Sequence, residues 1–218
     1  MKTVVITDEI RRAAPHFRMV LIEAAVTDGP TPDALWAEIE AAAAEVALLP
    51  MEAVNKRPAI AATRAAYKAL GKEPNRYRPS AEALCRRCVK GVGLYRSLAI
   101  IDLINLVSLR TGHSIGAFDA DRIEGDTLTL GVGRPGEPYE AIGRGQLNIG
   151  HLPVYRDAAG GIGTPTSDND RTKLTAETTR LLVTLNMYDG ADDGSLDLTV
   201  RLLRQYAGAT DIQYHEYN

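Results

Sequence analysis

The stretch Ile101–Asp119, IDLINLVSLRTGHSIGAFD, decides how the rest of the chain is read. Its apolar residues recur at helical spacing, and Asp102 and Asn105, three apart, share one helix face near Leu98, Leu106 and Leu109. Polar groups pressed against apolar surface need partners. The helix is expected to stop at Arg110-Thr111-Gly112, with the glycine supplying a left-handed last residue. The chain then turns back through Ser114 towards Asp119.

On the N-terminal side, Phe17 to Val26 is a short apolar run rich in strand formers and reads as a buried strand. Thr31-Pro32-Asp33 reads as a helix start, with Thr31 as N-cap and Pro32 in the first turn; Leu35, Ile39, Ala42, Val46 and Leu49 lie along one face, and Pro50 ends the helix. Pro58 to Leu70 is a second helix closed by Gly71, and Ser80 is expected to cap a third. In that third helix Glu82 stands four residues before Arg86, the spacing of a side-chain pair on the helix surface, and is expected to have a structural role.

On the C-terminal side, Thr127 to Val132 alternates as a strand, a Pro-Gly-Glu turn leads into Tyr139 to Ile142, and Leu152 to Tyr155 is a further strand. Asp157 to Gly163, DAAGGIG, is a glycine loop whose uncovered backbone N–H groups suit close approach of a small ligand, or simply a hairpin turn. Arg180 to Tyr188 is a second buried strand, Ser195 to Tyr206 an amphipathic helix, and the last ten residues a loose tail. The class is α+β.

At 218 residues and 45% hydrophobic, the chain is expected to form one domain, 1–218. No run approaches the roughly 18 apolar residues of a membrane span, and MKTVVITDEIRRAA lacks the apolar core of a secretion signal. A cytoplasmic protein with no membrane partner is expected. Net charge is only -3, but it is polarised: Lys56 to Arg96 carries eleven bases against two acids, and the remainder is acidic. Such a segment suits phosphate, or else is a pair of helices with solvated basic faces.

Several motifs resolve to nothing catalytic. Cys85 and Cys88 lie inside a helical run rather than at a helix N-terminus after a strand, which argues against thioredoxin-like chemistry, and without a second pair they are poor zinc ligands. Gly131, Gly133 and Gly136 spell G-x-G-x-x-G, yet Arg134-Pro135-Gly136-Glu137-Pro138 cannot readily open the helix that a dinucleotide site requires. Asp168, Asn169 and Asp170 lack the spacing, glycine and terminal Glu of an EF-hand. His16, His113, His151 and His215 are scattered. No metal and no cofactor is expected.

The Ile101–Asp119 run resembles the B3/B4 domain of the phenylalanyl-tRNA synthetase beta chain, where a V-D-x-x-N-x-x-x-L helix is followed by a glycine turn and A-F-D; here these are Asp102, Asn105, Leu109, Gly112 and Ala117-Phe118-Asp119. Free-standing proteins of that family carry R-x-S-x-E-A-L-x-R-R, matched by Arg78, Ser80, Glu82, Ala83, Leu84, Arg86 and Arg87. Gly136-Glu137, Ile142-Gly143 and the strand, acid and glycine loop up to Gly163 follow in family order, so the likeness runs from about Pro58 to Asp189.

The resemblance implies an α+β domain with sheets packed on the central helix, in which 58–189 is the core, 1–57 an N-terminal strand-and-helix elaboration, and 190–218 a helix and tail. It also implies binding of tRNA or aminoacyl-tRNA, no DNA partner, and hydrolysis in trans of a mischarged aminoacyl ester; full ligase activity is not expected. The alternative is a non-catalytic module for RNA or an amino acid. Pocket candidates are Asn105, Ser108, Gly160, Gly161 and Gly163, with Arg78, Arg86 and Arg87 for phosphate and Asp102 as a structural anchor beneath the pocket. Two positions depart from the family pattern: the histidine before A-F-D is Gly116, and the acid expected late in the strand after the glycine loop falls near Thr184. Tyrosine-specific editing therefore does not carry over.

Overall fold

A computed structural model describes residues 1–191 and 194–218. In chain order the elements are β1 (Thr3–Ile6), α1 (Asp8–Ala13), β2 (Arg18–Ala25), α2 (Asp33–Ala47), α3 (Pro58–Ala69), α4 (Ser80–Val89), α5 (Ala99–Thr111), β3 (Gly116–Asp119), β4 (Thr127–Val132), β5 (Glu140–Ala141), β6 (Gly145–Gln146), β7 (Pro153–Arg156), β8 (Gly161–Gly163), β9 (Arg180–Met187), α6 (Ser195–Tyr206) and β10 (Thr210–Tyr217). The fold is α+β. Among the described residues no helix is long and apolar enough to cross a membrane.

Two four-stranded sheets and a helical layer stack on one another. The middle sheet runs β10-β2-β9-β3, antiparallel throughout, and the outer sheet runs β1-β4-β7-β8, with β1 parallel to β4. Alternation along β2 sends Val20, Ile22 and Ala24 to the helices and Met19 and Leu21 to the outer sheet, which is why this strand is apolar on both faces. β9 divides likewise, with Leu181, Val183 and Leu185 under α2, α5 and α6, and Leu182 against Phe118, Leu130 and Tyr155.

α5 is the hub of the helical layer, and Gly112 closes it with φ of 86°. Its Asp102 is buried, accepting from the Thr31 hydroxyl at 2.5 Å and the Ser97 N–H at 2.9 Å, while burial raises its carboxyl above the usual range. Thr31 is thus not the N-cap expected from the sequence. α2 begins at Asp33, and the Thr31 side chain turns inward to a carboxylate 71 residues away. Ser80 likewise is the first residue of α4 and makes no side-chain cap; its N–H donates to Pro165 O at 2.8 Å instead.

The largest departure is at the end of the chain. The stretch expected to be a loose tail is β10, paired with β2 from Thr210↔Ala25 to Tyr217↔Met19, and it covers the edge of the middle sheet. Its sequence, TDIQYHEY, stays mostly exposed and carries little apolar signal; backbone ladder bonds hold it. Cys85 and Cys88 are buried free thiols raised in pKa by that burial, and Arg57 donates to the Cys85 Sγ at 2.9 Å.

Candidate functional site

A 260 Å³ pocket opens between α4, α5, β3 and the loop that follows β8. α5 supplies Ile101, Ile104, Asn105 and Ser108, the i, i+3, i+4, i+7 stripe of one helix face. From α4 come Ser80 and Leu84, one turn apart, from β3 comes Ala117, and from the residue just before that strand comes Ile115. Ile142, Leu174 and Lys173 complete the rim. The apolar wall is entirely aliphatic or alanine. Among the described residues no side chain hydrogen-bonds the half-buried Asn105 amide, which leaves it free to serve a ligand.

The floor on the far side is Thr164, Ser167 and Asp168. Thr164 Oγ1 accepts from the N–H groups of Thr166 and Ser167 at 3.2 and 3.1 Å, a hydroxyl-stabilised turn that aims the next residue at the pocket. Asp168 is fixed through its backbone, its carbonyl accepting from Ile142 N–H at 3.1 Å, and its Oδ2 accepts a long 3.4 Å hydrogen bond from Ala117 N–H. No ion pair reaches it among the described residues; Lys173, on the same rim, pairs with Asp170 at 2.9 Å. Burial pushes the Asp168 carboxyl up to about 7, against the smaller pull of the Ala117 N–H.

A stability effect follows from that raised carboxyl. Unfolded, Asp168 titrates near the ordinary value of about 3.9, so the folded state binds its proton more tightly. The stability this provides is fully present below about pH 4 and is lost as pH rises to 7. Asp168→Asn removes the titration. In denaturant melts, wild type should lose at least about 1 kcal/mol relative to the variant between pH 4 and 8, a figure discounted because the pocket is open to water. A constant difference across that range would show that the carboxyl titrates normally.

Beside the pocket lies a cluster of guanidinium groups. Glu82 is fully buried, with Arg64 Nη1 2.8 Å from its Oε2, Arg86 Nε 2.8 Å from Oε1 and Arg78 Nε 3.6 Å from Oε1. One carboxylate faces three cations, so the locus keeps excess positive charge. Arg87 stacks over the exposed Tyr95 ring at 4.6 Å and donates from Nε to Gly93 O at 3.1 Å. Not all the basic residues of this segment face solvent. Arg64 points inward, and Lys72 is buried over Tyr77, donating to Asn148 O and Gly150 O at 2.7 and 2.6 Å, with burial lowering its pKa to about 8. Lys68, Arg76 and Lys90 are exposed.

Asn105 and Ser108 therefore sit in the pocket wall, but Gly160, Gly161 and Gly163 are not among the residues lining it. The N–H groups of Ala159 and Gly160 donate to Asp157 Oδ1, each at 3.0 Å, so the loop's donors are partly occupied from within. Gly161 and Gly163 form β8, where a Cβ would come 2.9 Å from the Tyr139 ring or 2.5 Å from the Phe118 ring; glycine is there because two aromatic rings lie flat against the backbone.

Gly116 and Thr184 are direct partners in the β3–β9 ladder. Both lie on the face opposite the pocket, since Ala117, their neighbour on β3, is the residue of that strand that lines it. A Cβ at Gly116 would come 2.7 Å from both Phe118 Cζ and Thr184 Oγ1. The two departures from the family pattern are thus one packing feature, with the Phe118 ring filling the space. Asp168, Thr164, Ser167, Ile142 and Lys173 are pocket residues that the sequence did not single out. The polar run TPTSD directly after a glycine loop was their only signal, and it reads equally as a turn.

No curated protein sequence matches this chain. Among solved structures, the chain is similar to an N-terminal fragment of the phenylalanyl-tRNA synthetase beta-subunit from Pyrococcus horikoshii, at 13% identity and a TM-score of 0.49. The superposition covers 99% of this chain and 54% of that one, so the chain spans about half the length of the fragment. A family model for the B3/4 domain matches residues 62–195, which takes in α4, α5, the pocket and both departing positions. The chain belongs to the B3/4 domain family.

Proposed function

We propose that the protein binds aminoacyl-tRNA, with phosphates against the α3–α4 basic face and the acylated end in the pocket, and hydrolyses the ester of a mischarged amino acid in trans. The observation that carries this reading is the adjacency of an amphipathic pocket to a cation-rich locus: Ser80, four residues after Arg76 and two before Glu82, is itself pocket wall. The reaction is attack of water on an ester carbonyl, assisted by the terminal ribose hydroxyl. The protein's part is to position the ester and polarise it, for which Asn105 offers an uncommitted amide. A panel of labelled aminoacyl-tRNAs tests it, and no accelerated release of any amino acid would end the hydrolytic reading.

Gly116 favours a second reading, a binding module without turnover, because the side chain found there in many synthetase chains is missing. Both readings share one prediction. Arg78→Ala and Arg87→Ala should each weaken tRNA binding and reduce the slope of log affinity on log salt by about 1 for each phosphate contact removed. Gel-shift or fluorescence titration across a salt series reads this directly. Unchanged slopes in both variants would remove these arginines from the interface. Arg86 is not suited to the same test, because its Nε holds the buried Glu82.

A further inference from the structure

We propose that the pocket selects an apolar α-amino acid in its aminoacyl form, ester or amide, by placing the α-ammonium on Asp168 and the side chain against Ile101, Ile104, Ile115 and Leu174. The inference rests on the reading of the pocket as the aminoacyl end of the site and names the chemistry that site accepts.

Three features of the pocket converge on that class of ligand. The first is the wall. Leu84, Ile101, Ile104, Ile115, Ile142 and Leu174 enclose apolar space without one aromatic ring, so an aliphatic or phenyl side chain gains by leaving water while a polar one loses its hydration. Within that wall, Asp168 is a half-buried carboxylate held in place by its backbone and its turn, with one long hydrogen bond and no ion pair among the described residues. An acid left so poorly compensated is a receptor for a positive charge, and the raised proton affinity of its carboxyl expresses the same deficit.

The third feature is what the pocket lacks. The free carboxylate of an amino acid would need a cation of its own, and Lys173, the one cationic side chain on the wall, is already paired with Asp170 at 2.9 Å. A free amino acid would therefore bring a second negative charge close to Asp168 with nothing to balance it. An ester or amide brings only a neutral carbonyl, which the Asn105 amide can meet. The pocket thus distinguishes an aminoacyl ester or amide from a free amino acid by charge, and an amine from an N-blocked amine by the same carboxylate.

Charged and titratable groups around Asp168 are few. α4 contributes Ser80 and Leu84, α5 contributes Asn105 and Ser108, and β3 with the residue before it contributes Ala117 and Ile115, none of them ionisable at working pH. Behind the floor, the Tyr139 phenol donates to Ser167 O at 2.8 Å and stays protonated, its pKa raised by burial and by Asp168. The pH dependence of binding is thus set by the carboxyl below neutrality and by the ligand's own amine above it, with a maximum near pH 7.

Calorimetric or NMR titration of the intact protein at pH 7 with L-leucine methyl ester, N-acetyl-L-leucine methyl ester and free L-leucine tests the proposal. The methyl ester should bind at least about tenfold more tightly than either of the other two, the scale of one charge-assisted contact. Asp168→Asn should abolish the preference for the amine, so that the methyl ester and its N-acetyl form bind the variant equally, with a thermal melt confirming that the variant is folded. Equal affinity for the amine and its N-acetyl form in wild type overturns the proposal without any variant, as does tightest binding of free leucine or binding of none of the three. The outcome is separable from hydrolysis: release of the amino acid from N-acetyl-aminoacyl-tRNA as fast as from aminoacyl-tRNA would keep the deacylase reading and discard the ammonium site.

Discussion

Glu82→Ala should cost about 3–5 kcal/mol of folding stability and leave a protein that is largely unfolded or molten at 37 °C. The carboxylate is wholly buried and is the shared counter-ion of Arg64, Arg78 and Arg86. Arg64 lies inside, where it also donates to Asn75 Oδ1 at 2.7 Å and to Pro74 O, so on losing Glu82 its charge cannot swing into water without breaking the α3–α4 connection. Glu82→Gln keeps the shape and loses the charge. It should recover part of the deficit, because the amide oxygen can still accept one of the two 2.8 Å hydrogen bonds. Chemical denaturation followed by circular dichroism measures both variants, and a loss under about 1 kcal/mol for Glu82→Ala would show that the cluster is no more than a surface ion pair.

Restoring the family's histidine by Gly116→His should destabilise by about 3 kcal/mol, the upper end of overpacking, and confer no editing activity. The new Cβ alone would lie 2.7 Å from Phe118 Cζ and from Thr184 Oγ1. Phe118 has no easy retreat, because the far side of its ring is against Gly163, where a Cβ would come as close as 2.5 Å. Truncating Thr184 as well should relieve only part of the strain, since Phe118 stays where it is. Gly116→Ala is the smallest probe and should lose at least about 1 kcal/mol on the same grounds. A Gly116→His protein melting with wild type would mean that Phe118 can vacate the site, and that the histidine position is closed by chance rather than by packing.

Local pattern carried the sequence reading well where structure is set by near neighbours. The length and glycine stop of α5 follow from 3.6-residue periodicity and a left-handed terminus, and the buried strands β2 and β9 follow from their apolar runs. The Glu82–Arg86 pair is an i,i+4 relation and was legible for the same reason. Reading failed where a polar group takes a distant partner. Thr31 has every local feature of an N-cap, yet its hydroxyl bonds Asp102, and Ser80 yields its capping role while its backbone bonds the loop at Pro165. β10 was missed because an edge strand held by ladder bonds needs no apolar alternation.

The sequence by itself therefore determined the family, the α+β class and the central helix, because these are written in local spacing and in the order of short motifs along the chain. Tertiary structure alone decided the site. Asp168 becomes a pocket carboxylate only when the turn after β8 is laid against β3 and α5, and Gly116 and Thr184 become one feature only through a strand register joining positions 68 residues apart. Those relations depend on which backbone segments are brought together and on what already fills the space between them, which local periodicity does not encode.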